Sequence, residues 1–191
     1  MTKIKICGLM TMEDIKAVNQ AKPDLAGFIF AGGRHHINLD QAIRMRQQLD
    51  RTIPSVGVFV DASIKEMLDA VKSGAISIVQ LHGSETEDTV KLLQSSNIKV
   101  IQVFKFPTKN VLKTSADYLM VDSGSGDGDA LDWNNLKITP DILAGAINSN
   151  NVYKAINIVN PKIIDISRGV ETNGKKDAIK IKQIVNMVHK L

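Results

Sequence analysis

Groups able to move protons or hold anions gather where the apolar runs of this sequence end. The chain's only cysteine, Cys7, closes KIKIC and precedes Gly8, while Asp122 closes YLMVD. Arg34 and His35 follow LAGFIF within AGGRHHIN, His82 ends SIVQLH, and Asp165 lies inside KIIDIS. Asp61, Gln80 and Lys105 occupy comparable positions. Gly145-Ala146 and Arg168-Gly169 sit in the turns that follow the last two runs. A thiol, a carboxylate, cationic groups and glycine-containing turns together suit acid–base chemistry on an anionic substrate. Taken singly, each has a plain alternative. Cys7 reads as a buried apolar thiol or a reactive one, Asp122 as a catalytic acid or the start of a solvated loop, and His82 as a strand-end hydrogen-bonding residue.

The elements that must position these groups are legible as an alternation. Eight short β-rich runs are KIKIC (3–7), LAGFIF (25–30), SVGVFV (55–60), SIVQLH (77–82), KVIQVFKF (99–106), YLMVD (118–122), ILAGAI (142–147) and KIIDIS (162–167). Amphipathic stretches lie between most of them. TMEDIKAVNQA opens with a Thr11-x-x-Asp14 capping signal, and Met12, Ile15 and Val18 then recur at helical spacing. LDQAIRMRQQL, ASIKEMLDAVKSG, ETEDTVKLLQSS, NNVYKAINIV and DAIKIKQIVNMVHKL follow the same pattern, with Gly74 placed as a helix-ending glycine. PTKNVLKTSAD, after the fifth run, is too short and broken for a firm helix, and SGSGDGDALDWNNLKITP reads mostly as loop.

Parallel strands alternating with helices, with no linker dividing them, predict one small (β/α)8 barrel over residues 1–191, with a weak or missing helix after strand five. A doubly wound open sheet is the alternative, but CGLMTM lacks the Gly-x-Gly-x-x-Gly turn that fold uses for dinucleotides. In a barrel, chemistry gathers at the C-terminal ends of the strands, and turns after strands seven and eight often hold phosphate.

Composition narrows the partners. Hydrophobic residues make up 43% and charged residues 23% of the 191, as in ordinary globular proteins. A single cysteine fits a reducing compartment, and neither a signal-like leader nor a membrane-length apolar run is present, so a cytoplasmic location is expected. The net charge of +4 is spread along the chain, and 4% aromatic content offers no stacking platform, so neither nucleic acid nor membrane is expected as a partner.

The set KICGL (5–9), GFIF (27–30), VGVFV (56–60), VQLHG (79–83), the acid at 122 before a glycine-rich loop ending in LDW (131–133), LAG (143–145) and DISRGVE…GxKD (165–177) resembles the phosphoribosylanthranilate isomerase family. The resemblance runs from Lys5 to Asp177 and implies a small barrel with a degenerate fifth helix. It also implies an Amadori rearrangement of N-(5′-phosphoribosyl)anthranilate without metal or organic cofactor, in a monomer or alternatively a homodimer. Carried over residue by residue, it makes Asp122 the general acid and Cys7 the general base. Phosphate falls to Gly145-Ala146 and Arg168-Gly169, the substrate carboxylate to Arg34 or alternatively His35, and further substrate contacts to His82 and Asp165. A base needs thiolate, so the expectation is a lowered Cys7 pKa, with Lys5 on the same side of the strand as a candidate cause; for Asp122 partial burial should raise it.

Departures from the family pattern are Asp127 in place of a small hydroxyl residue, Ala146 in place of glycine and Arg168 in SRGVE in place of serine. They leave a rival: a catalytically weakened barrel that binds a phosphorylated metabolite as a sensor or scaffold. Other phosphosugar barrels would be expected to carry a different acid–base pair.

Overall fold

Eight strands pair edge to edge in chain order and the first closes onto the last, forming a parallel barrel. This computed structural model describes residues 1–106, 114–122 and 133–190. The strands are β1 (Lys3–Cys7), β2 (Leu25–Ile29), β3 (Ser55–Phe59), β4 (Ile78–Leu81), β5 (Lys99–Lys105), β6 (Tyr118–Asp122), β7 (Ile142–Ala144) and β8 (Ile163–Ile166). The helices are α1 (Met12–Ala21), α2 (Leu39–Gln48), α3 (Ile64–Lys72), α4 (Glu87–Ser95), α5 (Val152–Val159) and α6 (Ala178–His189). The expected barrel is therefore found. The expectation of a weak or missing helix after β5 falls on a segment whose residues 107–113 lie outside the described residues, as does the glycine-rich loop with Asp127.

Local sequence explains the helix starts. Thr11 and Asp14 form the reciprocal cap that satisfies two backbone donors, and Asn38 with Gln41 and Ser63 with Glu66 repeat it. Gly74 takes a φ of +75°, as a helix-ending glycine should.

Alternation along each strand separates two apolar layers. Ile4, Ile6, Phe28, Phe59, Val79, Leu81, Leu143 and Ile164 face outward and pack with helix residues such as Ile15, Met67, Leu93 and Ile184. Leu25, Val56, Ile78, Ile101, Val103, Met120, Ile142 and Ile163 fill the barrel interior. Each fully buried side chain of this size contributes about 1.5–3 kcal/mol. Asp24, just before β2, ties β1 to α6: its Oδ2 accepts from the Ile4 amide at 2.9 Å and meets His189 Nε2 of α6 at 2.9 Å.

Most strands end one to three residues before their apolar runs do. Phe30, Val60, His82 and Ile147 lie beyond the strand ends, although the Phe30 and His82 amides still donate to the Val58 and Phe59 carbonyls of β3 at 2.9 and 2.8 Å. A hairpin is additional to the sequence expectation. Residues Glu171–Thr172 (β9) and Lys175–Lys176 (β10) form an antiparallel hairpin across Asn173-Gly174, both at positive φ (52° and 77°). Asn-Gly between two short extended pairs is the two-residue hairpin signal, and it was present in ETNGKK.

Candidate active site

Inside the barrel, the apolar filling stops one layer below the C-terminal mouth. There Lys5 is wholly buried, and its Nζ donates to Gln80 Oε1 at 2.9 Å and to both oxygens of Asp165 at 3.1 Å. Strand pairing causes this meeting, because Lys5 and Asp165 are register partners across β1 and β8. A charged pair so deep is tolerated only because each member supplies the other's hydrogen bonds.

Cys7 lies two residues on, so it points inward like Lys5, one step nearer the mouth. Gly27 makes the room: it is the β2 partner of Cys7, and a Cβ there would stand 2.6 Å from Sγ. Burial pushes the Cys7 thiol up, Lys5 opposes that shift, and Asp165 reinforces it. The net direction is upward, contrary to the sequence expectation, because burial of the thiol outweighs Lys5, whose charge Asp165 also partly matches. Lys5 itself is held above the ordinary lysine value: burial works against its charge, but Asp165 and Cys7 outweigh burial.

Above this layer opens a cavity of about 360 Å³, within the range of small-molecule sites. Cys7, Gln80, His82, Asp122, Asp165 and Arg168 line it together with Gly145, Ala146, Ile147, Asn148, Ser167 and Gly169. His82 Nε2 lies 3.4 Å from Asp122 Oδ2, and both side chains are about a quarter exposed (23% and 26%). Eight of the ten sequence-derived site residues thus share one wall system.

The turns after β7 and β8 meet closely. A Cβ on Gly169 would run into the carbonyl of Ile147, so only glycine permits this approach. Gly145 takes a φ of +107° and Ala146 one of +50°. Ala146 therefore keeps the left-handed backbone at a cost of about 1–2 kcal/mol. Its carbonyl accepts from Asn151 Nδ2 at 3.0 Å and Asn148 Nδ2 at 3.4 Å, which fixes the peptide plane. Gly169→Ala is expected to destabilise the fold by about 1–3 kcal/mol through overpacking and to raise KM, because the two turns must separate. A thermal melt and a KM measurement check both effects; a variant with unchanged KM would show that the close approach is not needed for binding.

Arg34 and His35 are placed differently from the other eight and are not among the cavity-lining residues. Arg34 Nη2 pairs with Glu171 Oε2, and His35 Nε2 lies 2.7 Å from Glu171 Oε1. The His35 ring backs onto Gly8, next to Cys7. Lys176 completes the cluster, donating to Glu171 Oε1 and the Ser167 carbonyl at 2.9 Å each. Glu171, Lys176, Ser167 and Asn148 are the neighbours that sequence reasoning missed. Glu171 and Lys176 were visible within the terminal motif, but their pairing depends on the hairpin.

A model of the family described as N-(5′-phosphoribosyl)anthranilate isomerase matches residues 4–187. The chain belongs to the phosphoribosylanthranilate isomerase family. A relative from Lacticaseibacillus casei, strain BL23, named N-(5′-phosphoribosyl)anthranilate isomerase, is 49% identical over 190 residues, covering 97% of this chain and 94% of that one. The crystal structure of phosphoribosyl anthranilate isomerase from Thermotoga maritima superposes with a TM-score of 0.86 at 29% identity and full coverage of both chains. Another isomerase structure, in complex with reduced 1-(o-carboxyphenylamino)-1-deoxyribulose 5-phosphate, matches at a TM-score of 0.84 and 27% identity, again over both full chains. Within this family frame, the Ala146 and Arg168 departures fall on the cavity wall.

Proposed function

We propose that this chain isomerises N-(5′-phosphoribosyl)anthranilate to 1-(2-carboxyphenylamino)-1-deoxyribulose 5-phosphate, with Asp122 as general acid and Cys7 as general base. The observation that carries the reading is the convergence of Cys7 and Asp122 on one cavity walled by the glycine-containing turns after β7 and β8. Asp122 gives a proton to the ribose ring oxygen as the C1′–O bond breaks, leaving a Schiff base. Cys7, as thiolate, takes the C2′ proton, and the resulting enolamine tautomerises to the ketone. Electrons and atoms balance within the substrate, so the scheme requires neither an oxidant nor a metal.

The phosphate is assigned to the Gly145-Ala146 and Arg168-Gly169 turns, the substrate carboxylate to Arg34, and the ribose hydroxyl groups to His82 and Asp165. All of these residues come from one barrel, which we take as the functional unit. No helix among the described residues is long and apolar enough to cross a membrane, and a cytoplasmic site of action fits this chemistry. The rival metabolite-binding reading rested on the altered turns, and no observation favours it: Ala146 adopts the positive φ of the glycine it replaces.

The test is a fluorescence assay on freshly prepared phosphoribosylanthranilate. Turnover is expected; a protein that binds the reduced product analogue without turning substrate over would overturn the enzymatic reading.

A further inference from the structure

Two residues of the terminal motif, Glu171 and Lys176, take no part in the scheme above, yet they are among the most deeply placed charges near the cavity. Their side chains are 6% and 1% exposed. A buried ion pair is a poor source of stability, because the desolvation of both charges offsets most of their attraction. Its use here is geometric. The hairpin register sets Lys176 directly opposite Glu171. Lys176 also grips the carbonyl of Ser167, a cavity-wall residue, at 2.9 Å and approaches its hydroxyl at 3.3 Å. Glu171 then uses both oxygens: Oε1 faces Lys176 and His35, and Oε2 faces Arg34. One carboxylate therefore ties the β2–α2 loop to the exit of β8.

We propose that Glu171, anchored by Lys176, is a positioning residue that holds Arg34 beside the exit of β8 and thereby sets the preference for a substrate carrying a carboxylate. This rests on the assignment of Arg34 to the substrate carboxylate. Arg34 is 53% exposed, and Glu171 engages it through Nη2, so its guanidinium faces solvent while one end is fixed. A guanidinium fixed in this way loses less freedom when it grips a second carboxylate in a two-point contact. Charge agrees with the assignment. Two cations, Arg34 and Lys176, face a single carboxylate, and burial together with Lys176 keeps His35 below its ordinary value despite Glu171. The cluster retains positive charge for an incoming anion.

The experiment compares two adducts of ribose 5-phosphate, one with anthranilate and one with aniline, which lacks the carboxylate. For Glu171→Gln, kcat/KM should fall about tenfold more for the anthranilate adduct than for the aniline adduct, with the loss mainly in KM, as expected for a weakened charged hydrogen bond. Equal losses for both adducts would mean a merely structural role and would overturn the proposal. Arg34→Ala separates the two layers of the argument. If it abolishes the carboxylate preference while Glu171→Gln does not, only the positioning role fails. If it leaves the preference intact, the assignment of Arg34 fails too. Should Glu171→Gln not fold, because Lys176 is left unpaired, the charge-balanced Glu171→Gln/Lys176→Gln variant makes the same comparison.

Discussion

Cys7→Ser is expected to slow the isomerisation by roughly a hundredfold or more, and Asp122→Asn by a similar factor, the range for removal of a positioned acid or base. Serine nearly matches cysteine in shape, but its hydroxyl is far too weak an acid to supply a base near neutral pH. Asparagine keeps the hydrogen-bonding outline of Asp122 without a transferable carboxyl proton. A melting curve for each variant serves as the control for folding. The pH profile adds a sharper signature. Burial raises the thiol, with Lys5 opposing and Asp165 assisting, so thiolate is scarce at neutral pH. Wild-type kcat/KM should therefore climb into the alkaline range, above about pH 8.5, the ordinary thiol value. That ascending limb should vanish in Cys7→Ser. A serine variant that retained the rate and the limb would remove Cys7 from the mechanism.

Much of this molecule could be read from its sequence because parallel barrels carry a strong local signature. Strands buried on both faces appear as apolar runs, and the capped helices announce their starts, as Thr11 and Asp14 do. The proposed catalytic pair stood out as candidates because both residues close apolar runs at strand ends. What stayed hidden depends on partners far away in the chain. The placing of Arg34 and His35 is decided by Glu171, more than a hundred residues on, and no local pattern encodes that contact. The direction of the Cys7 shift was misjudged for a related reason. Lys5 was recognisable as a neighbour two residues away, but the depth of burial that outweighs it, and the Asp165 and Gln80 contacts that share its charge, come from other strands. The β9–β10 hairpin is a different kind of omission, since its Asn-Gly signal was local and was outweighed by reading the segment as a phosphate turn.

The same buried layer gives the second large expected effect. Lys5→Met should destabilise the barrel by about 3–5 kcal/mol, the usual cost of removing one partner from a buried ion pair. Methionine fills most of the volume, so the loss comes from Asp165, 8% exposed, which would lose its cation, and from Gln80 Oε1, which would lose its donor. Urea unfolding measures this directly. Lys5→Met/Asp165→Asn, which removes both charges, should recover much of the stability yet not the activity, because Lys5 opposes the upward shift of the thiol more than Asp165 reinforces it, and Asp165 is assigned to the ribose hydroxyl groups. The sign of the pH dependence follows from the same groups. Lys5 is raised in the folded state, through Asp165 and Cys7 overriding burial, so its contribution is complete below about pH 10.4 and is lost as pH rises through the folded value. The Cys7 thiol is also raised, so the folded state favours its neutral form, and stability begins to fall above about pH 8.5. Both effects point the same way, and wild type should weaken progressively in alkali. In Lys5→Met the lysine part of that decline should be absent. A single variant as stable as wild type would mean that the Lys5–Asp165 pair does not hold the barrel interior together.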